Sequence, residues 1–140
     1  MNTHAPDTGW IGVDLDGTLA EYHGWVRADH IGDPIEPMCA RVRTWLAEGR
    51  QVRIFTARVY PITVVIDEQY TMPSLQFGAS DRMSQAVMAA VAIRNWSRIH
   101  FGRWLPITCV KDFAMTRLYD DRAFQVVANK GLVVGGDAQS

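Results

Sequence analysis

Short apolar runs alternate along the chain with patterns of helical period, and this alternation predicts an α/β fold. Residues 10–14 (WIGVD) form an apolar run that ends in an acidic residue, as is typical of a buried strand. Further strands are predicted at 51–56, 105–110 and 117–119, with short final strands at 125–128 and 132–134 around a turn at 129–131. Strands that alternate with helices indicate a mostly parallel sheet with helices on both faces, which is a three-layer sandwich.

Two helices are predicted between these strands. The first covers 37–48 and opens with Pro37, because proline is well suited to the first helical turn. The second covers about 81–100, with Ser80 or Asp81 as its N-cap. The buried stripe of the second helix is expected at Met83, Val87, Ala90 and Val91.

The remaining segments define the domain organisation. Residues 1–9 are polar and are interpreted as a loose N-terminal tail. Residues 10–140 are interpreted as a single domain, since a chain of 140 residues suffices for one core. Within it, 20–37 is rich in Gly, Pro, His and Asp and is interpreted as a flap, and 59–80 is interpreted as a short insertion.

Composition and charge narrow the class of protein. Hydrophobic residues make up 48% and charged residues 21% of the chain, a balance that excludes disorder. A net charge of −1 argues against a broad nucleic-acid-binding face. No apolar run reaches the roughly 20 residues of a membrane span, and no secretory signal is recognised. The two distant cysteines, Cys39 and Cys109, predict reduced thiols in a cytoplasmic protein. Because no membrane span is predicted, no membrane partner is expected.

Two acidic motifs follow predicted strands at opposite ends of the chain. Asp14 and Asp16 follow the first strand, with Gly17 turning the chain, and Asp120 and Asp121 follow the strand at 117–119. The carboxyl ends of parallel strands share one sheet edge, so we expect these carboxylates to meet there. Crowded carboxylates repel one another unless a cation binds, and Mg²⁺ prefers oxygen ligands. The sequence therefore predicts a magnesium site at this edge.

Three further residues are candidates for contacts with phosphate or substrate. Thr56 ends the strand at 51–56, so its hydroxyl is expected at the same edge. Lys111 follows the strand at 105–110 and is one of only two lysines in the chain, which favours a role as a phosphate-binding cation. Arg58 lies two positions after Thr56 and is a candidate substrate contact.

Together these motifs resemble the haloacid dehalogenase (HAD) superfamily of aspartate-nucleophile phosphohydrolases. The four motifs of that family are matched in order by Asp14-x-Asp16-Gly17-Thr18, by Thr56, by Lys111, and by Asp120-Asp121. The resemblance implies a Rossmann-like sandwich and a phosphomonoesterase that works through an aspartyl-phosphate intermediate. It also implies that Asp14 is the nucleophile and that Asp16 is the general acid and base.

The resemblance further implies how metal and phosphate are held. Mg²⁺ would be bound by Asp14, by the backbone carbonyl of Asp16, and by Asp120 or Asp121, with the choice between the last two left open. Thr56 and Lys111 would stabilise charge on the transferring phosphoryl group.

Substrate and partners stay open at this point. The intervals between the motifs are too short for an independent cap domain, so a minimal or capless member is expected, acting on a large substrate or covered by a second subunit in a homo-oligomer. Asp120-Asp121-Arg122 resembles a segment in the 3′-phosphatase domain of phage-type polynucleotide kinase. The candidate substrates are a phosphorylated small molecule, a nucleotide, or a nucleic-acid end. A non-catalytic HAD-like module that binds phosphate or a partner is the alternative from another class.

Overall fold

The structure is a computed structural model that describes residues 8–74 and 80–135. Its strands and helices follow one another in the order β1 (Trp10–Asp14), α1 (Glu36–Ala47), β2 (Gln51–Phe55), α2 (Arg82–Phe101), β3 (Ile107–Thr108) and β4 (Met115–Tyr119). A short 3-10 helix, Ala57–Val59, follows β2. The chain therefore has the alternating order of an α/β fold, as predicted.

The four strands form one parallel sheet in the order β3-β2-β1-β4. Asp14 at the end of β1 is in register with Phe55 at the end of β2, and Val13 is in register with Tyr119 at the end of β4. The carboxyl ends of these three strands therefore meet at one edge. The prediction of an α/β fold with a parallel sheet is confirmed.

Both helices pack against the same face of the sheet. Ile11 and Val13 of β1 belong to one buried cluster with Val42 of α1 and with Ile93 of α2. The connections β1–α1–β2 and β2–α2–β3 advance across the sheet in the same direction, and right-handed crossovers then place both helices on one side. This layer holds the main hydrophobic core.

The second face of the sheet is covered by a short connection, 109–114. Trp10, which is buried but lies outside the main cluster, donates from its indole Nε1 to Asp112 Oδ1 at 2.8 Å. Arg53 stacks its guanidinium 4.5 Å from the Trp10 ring and approaches Asp112 at 3.6 Å. Within the described residues no helix packs on this face, so the predicted third layer is not observed. The connection 109–114 is too short to hold a crossover helix with its turns.

The ends of α2 agree with the sequence signals, whereas its buried face differs from the prediction. Asp81 caps the helix by accepting a hydrogen bond from the Ser84 amide, and Gly102 ends it in the left-handed conformation that favours glycine. Val87 and Ala90 are buried as predicted, but Met83 and Val91 are exposed. The other buried residues of the helix are two large ones, Ile93 and Trp96, and four small ones, Ser84, Ala86, Ala89 and Ser97.

The end of the described chain contains less regular structure than predicted. The strands expected at 125–128 and 132–134 reduce to an isolated antiparallel bridge between Val126 and Val133. The turn between them is present, with Asn129 at a φ of 63°. The strand expected at 105–110 shortens to Ile107–Thr108, because the Thr108 side chain accepts from the Val110 amide and bends the chain.

The predicted flap and insertion both pack on this framework. The flap is closed at its base, since the Glu21 amide donates to Asp33 and the Ile35 amide donates to Leu19. In the segment 59–80, Ile66 pairs with Ile107 at the outer edge of β3, while residues 75–79 lie outside the described residues.

Residues 1–7 of the predicted tail and residues 136–140 also lie outside the described residues. Gly9, at the end of that predicted tail, packs closely against the backbone of Ala114. Among the described helices, none combines the length and the apolar character needed to cross a membrane.

Candidate active site

A cavity of about 850 Å³ opens at the carboxyl edge of the sheet. Asp14 and Thr56 lie at its floor, where β1 and β2 end, and Asp120 follows β4 on the other side of β1. The further lining residues that carry charge or an aromatic ring are Asp16, Tyr22, Trp25, Phe55, Arg58, Tyr60, Arg82, Asp121 and Arg122. This position, outside the strand ends of an open α/β sheet, is where such folds place ligands.

Three carboxylates converge in this cavity. Asp14, Asp120 and Asp121 each offer an oxygen atom, and these atoms all lie within 4.8 Å of one another. Asp14 comes from the central strand β1, while the other two follow the neighbouring strand β4. The parallel pairing of β1 with β4 therefore brings together acidic residues that are more than a hundred positions apart in the sequence.

The crowding changes the protonation of Asp14. Its pKa is raised from 3.8 to about 7, first because the carboxyl group is partly buried, and then because Asp120, Asp121 and Asp16 place further carboxylates around it. Without a bound cation, the ionised form of Asp14 is thus disfavoured by the carboxylates around it. A divalent cation bound between these oxygens would remove the repulsion.

A tight turn after β1 fixes the position of Asp121. The amides of Thr18, Leu19 and Ala20 all donate to the carbonyl of Leu15, so the chain folds back directly after the strand. Thr18 Oγ1 donates to Asp121 Oδ1 at 2.9 Å and accepts from the Asp121 amide at 3.0 Å. The first and fourth motifs of the resemblance are thus joined by hydrogen bonds.

Gly17 is required at this turn for two reasons. Its φ of 86° lies in the left-handed region that favours glycine. A Cβ atom at this position would lie 2.7 Å from Asp121 Oδ2, which is closer than real contacts allow. The DGT sequence therefore brings the turn backbone against the carboxylate cluster.

Asp16 is held by Arg58 rather than by the carboxylate cluster. Arg58 Nε and Nη2 donate to the two oxygens of Asp16 at 2.8 and 2.9 Å, forming a bidentate pair. Arg58 Nη1 donates to the carbonyls of Ala28 and Arg27 in the flap, at 2.9 and 3.3 Å. Only 6% of the Arg58 side chain is exposed. Its guanidinium is thus engaged within the chain and positions Asp16, while Arg58 also lines the cavity, so that its role as a substrate contact stays a prediction.

Thr56 lies at the floor of the cavity as predicted, at the end of β2. Its side chain is 3% exposed and its hydroxyl accepts from the Arg58 amide at 3.1 Å, which caps the short 3-10 helix. As an acceptor in that bond, the hydroxyl keeps its own hydrogen for donation toward the cavity.

Lys111 is not brought to the cavity. It is exposed, and it is absent from the residues that line the cavity. The reason is that the chain leaves the sheet edge after Thr108 and turns toward the second face, where the next residue, Asp112, contacts Trp10. The prediction of Lys111 beside a bound phosphate is therefore not supported by its position.

Two arginines at the cavity were not selected from the sequence as site residues. Arg82 begins α2, and Arg122 follows the acidic pair after β4. Arg122 could have been predicted as a site residue, because it directly follows the acidic pair Asp120-Asp121. Arg82 had no comparable signal, because its approach depends on how α2 packs across the sheet.

The chemistry of the donor set fits a divalent cation. The cluster offers carboxylate oxygens only, and hard cations such as Mg²⁺ prefer such ligands while retaining several waters. The Asp16 side chain lies outside this cluster, so any ligand from Asp16 would be its backbone carbonyl, as the resemblance implies. A comparison of the chain with protein-family models, with curated proteins and with solved structures finds no match.

Proposed function

We propose that this protein is a Mg²⁺-dependent phosphomonoester hydrolase of the HAD type, with Asp14 as the nucleophile. The observation that carries the proposal is the convergence of Asp14, Asp120 and Asp121 at the ends of two adjacent parallel strands. Three unneutralised carboxylates are costly to place together, and the arrangement is therefore best explained by a cation and an anionic ligand that bind there.

Asp14 and the acidic pair would hold Mg²⁺ through their carboxylate oxygens. The bound cation supplies charge neutralisation, which lowers the repulsion between a carboxylate nucleophile and a phosphoryl group. The cation would also return Asp14 to its ionised form, since an adjacent positive charge favours the carboxylate over the carboxylic acid.

The first chemical step forms an aspartyl phosphate. An Asp14 oxygen attacks phosphorus, the ester bond to the leaving oxygen breaks, and Asp16 gives that oxygen a proton. The Thr56 hydroxyl donates to an oxygen of the transferring group, since its hydrogen is not used in the bond that it accepts from the Arg58 amide. Arg82 and Arg122 line the same cavity and supply the positive charge that Lys111 was expected to supply.

The second step releases inorganic phosphate. A water molecule attacks phosphorus, the bond to Asp14 breaks, and Asp16 takes a proton from that water. Arg58 Nε and Nη2 hold the Asp16 carboxylate at the site through two hydrogen bonds. Arg58 also fixes the direction of Asp16, since two of its nitrogens bind the two carboxylate oxygens.

The site is proposed to work without a cap domain. The flap and the segment 59–74 are the described segments closest to serving as a cover, and both are anchored to the fold by backbone hydrogen bonds. The two cysteines are free, which suits the reducing cytoplasm.

The test is phosphate release from a broad panel of phosphomonoesters by the whole chain with Mg²⁺. Asp14→Asn is expected to lose at least 10³-fold in kcat on every substrate that the wild-type protein hydrolyses, because the nucleophile is lost. Asp112→Asn is the matched control, since Asp112 lies on the second face, and it should retain wild-type kcat. If the wild-type protein releases no phosphate from any substrate of the panel with Mg²⁺, the result would favour the non-catalytic binding module. Full activity in excess EDTA would refute the metal role.

A further inference from the structure

Three aromatic side chains line the cavity while staying accessible. Tyr22 and Trp25 come from the flap, and Tyr60 follows the short 3-10 helix. They are 44%, 59% and 54% exposed, respectively. Aromatic residues that pack only within their own segment would lose more of this area, because burial of an aromatic ring is strongly favourable. Their convergence on one cavity from two segments indicates a surface for a flat apolar group.

The Trp25 ring is held in place by a contact on one of its faces. The Arg58 guanidinium lies 5.0 Å from the centre of the Trp25 ring, in a cation–π contact. Arg58 is itself fixed by Asp16 and by the Ala28 carbonyl. One face of Trp25 is thus occupied by a rigid group, and the ring is nevertheless more than half exposed. A preorganised ring of this kind can stack on a ligand with little loss of side-chain entropy.

Two arginines, Arg82 and Arg122, line the cavity together with the aromatic rings. Arg82 lies 5.8 Å from the centre of the Tyr60 ring, and Arg122 follows the acidic pair. A guanidinium can contact an anionic oxygen and can also stack on a planar group. The cavity thus offers carboxylates and a hydroxyl at its floor, and aromatic rings with arginines elsewhere in its lining.

We infer that the leaving group of the substrate carries a planar heterocycle, so that the substrate class is a nucleoside phosphomonoester. The inference rests on the proposed phosphatase function and adds the identity of the leaving group. The phosphate would lie at the floor near Asp14 and Thr56, and the base would stack on Trp25. A cavity of about 850 Å³ lies in the roughly 300–1,000 Å³ range of sites that enclose a whole small molecule. A free nucleotide and a phosphorylated nucleic-acid end share this chemistry.

The test compares substrates with and without a base. The substrates are ribose 5-phosphate, a nucleoside 5′-monophosphate, a nucleoside 3′-monophosphate, and a 3′-phosphorylated oligonucleotide, each assayed with Mg²⁺. Trp25→Leu should raise KM for the best nucleoside ester about tenfold, as expected for the loss of one base–aromatic stack. KM for ribose 5-phosphate should not change. Trp25→Phe should restore most of the lost affinity, because it retains a ring.

Phe113→Leu is the matched control, since Phe113 is fully exposed and does not line the cavity. It should leave every KM unchanged. The inference is overturned if Trp25→Leu changes KM equally for ribose 5-phosphate and for the nucleoside esters, or changes neither. The two nucleoside monophosphates and the oligonucleotide separate a free nucleotide from a nucleic-acid end by their relative kcat/KM.

A binding measurement separates this inference from the proposed function. Calorimetry with the catalytically blocked Asp14→Asn chain gives the Kd of each nucleoside monophosphate without turnover. Ring-dependent binding, weakened about tenfold by Trp25→Leu in the same background, supports the stacking surface even if no phosphate is released. If the wild-type protein hydrolyses ribose 5-phosphate as well as any nucleoside ester and Trp25→Leu does not weaken nucleotide binding, the phosphatase stands and the nucleoside inference fails.

Discussion

Replacing Asp14 by asparagine should stabilise the metal-free protein at alkaline pH. The pKa of Asp14 is raised to about 7 by burial and by the neighbouring carboxylates, whereas an unfolded chain ionises this group near its ordinary value of 3.8. Between these two values the unfolded chain loses its proton while the folded protein keeps it. Ionisation therefore favours unfolding increasingly as the pH rises from about 4 to 7, and the full cost persists above pH 7. Asparagine mimics the protonated carboxyl group and avoids that cost.

The magnitude follows from the displacement of the pKa. A change from 3.8 to about 7 corresponds to an upper bound of about 4 kcal/mol, at about 1.36 kcal/mol per pKa unit. Because Asp14 is only partly buried, solvent screens the repulsion, and we expect about 1–2 kcal/mol at pH 8. In a domain of this size that gain corresponds to a rise in Tm of about 3–8 °C.

The assay is thermal unfolding in excess EDTA at pH 4 and at pH 8, for the wild-type protein and for Asp14→Asn. The gain in Tm should be present at pH 8 and nearly absent at pH 4. Asp112→Asn is the control of opposite sign, since hydrogen bonds from Trp10 and Ala114 lower the pKa of Asp112 and its ionised form stabilises the fold. An Asp14→Asn protein that is no more stable than the wild type at pH 8, or equally stabilised at both values, would contradict the proposed repulsion.

The remaining predictions concern the metal, the turn and the Arg58 pair. Mg²⁺ at a hundred times its Kd should stabilise the wild-type protein by about 2.7 kcal/mol in thermal unfolding, and no shift on Asp14→Asn is expected; an equal shift on both would refute binding at the cluster. Gly17→Ala should abolish that Mg²⁺-induced shift, because its Cβ would displace the Asp121 carboxylate; a retained shift would contradict this. Arg58→Ala should lower the free energy of unfolding by about 2–3 kcal/mol in urea, with Arg58→Lys recovering only part of it; a neutral Arg58→Ala would refute the bidentate pair.

The sequence predicted the order of the elements and the strand ends of the site well. The boundaries of α1, β1 and β2 fall within one or two residues of the prediction, because capping residues and apolar runs are local signals. The convergence of Asp14 with Asp120 was also predictable, since parallel strands bring their carboxyl ends to one edge. These predictions depend on local pattern and on the general topology of α/β sheets.

The sequence could not predict features that depend on how distant segments meet. The pairing of Asp16 with Arg58 depends on the conformation of the flap, whose carbonyls also bind that guanidinium. Lys111 lies away from the cavity because β3 ends at Thr108, whereas the sequence pattern indicates a longer strand. Met83 and Val91 were expected to be buried because they are apolar residues at helical spacing. That spacing shows that the segment is a helix, but the packing of α2 against the sheet decides which of its residues are buried, and both of these are exposed.

The carboxylate cluster joins two strands that differ greatly in burial. β1 is one of the two inner strands of the sheet and is almost wholly buried, whereas β4 lies at an edge and is mostly exposed. Backbone amides of an exposed edge strand open and exchange hydrogen more readily than those of a core strand. A ligand that bridges Asp14 to Asp120 and Asp121 links β4, which opens easily, to β1, which does not. Binding at the cluster should thus slow amide exchange throughout β4 while leaving β1 nearly unchanged, which makes the sheet edge itself a reporter of occupancy.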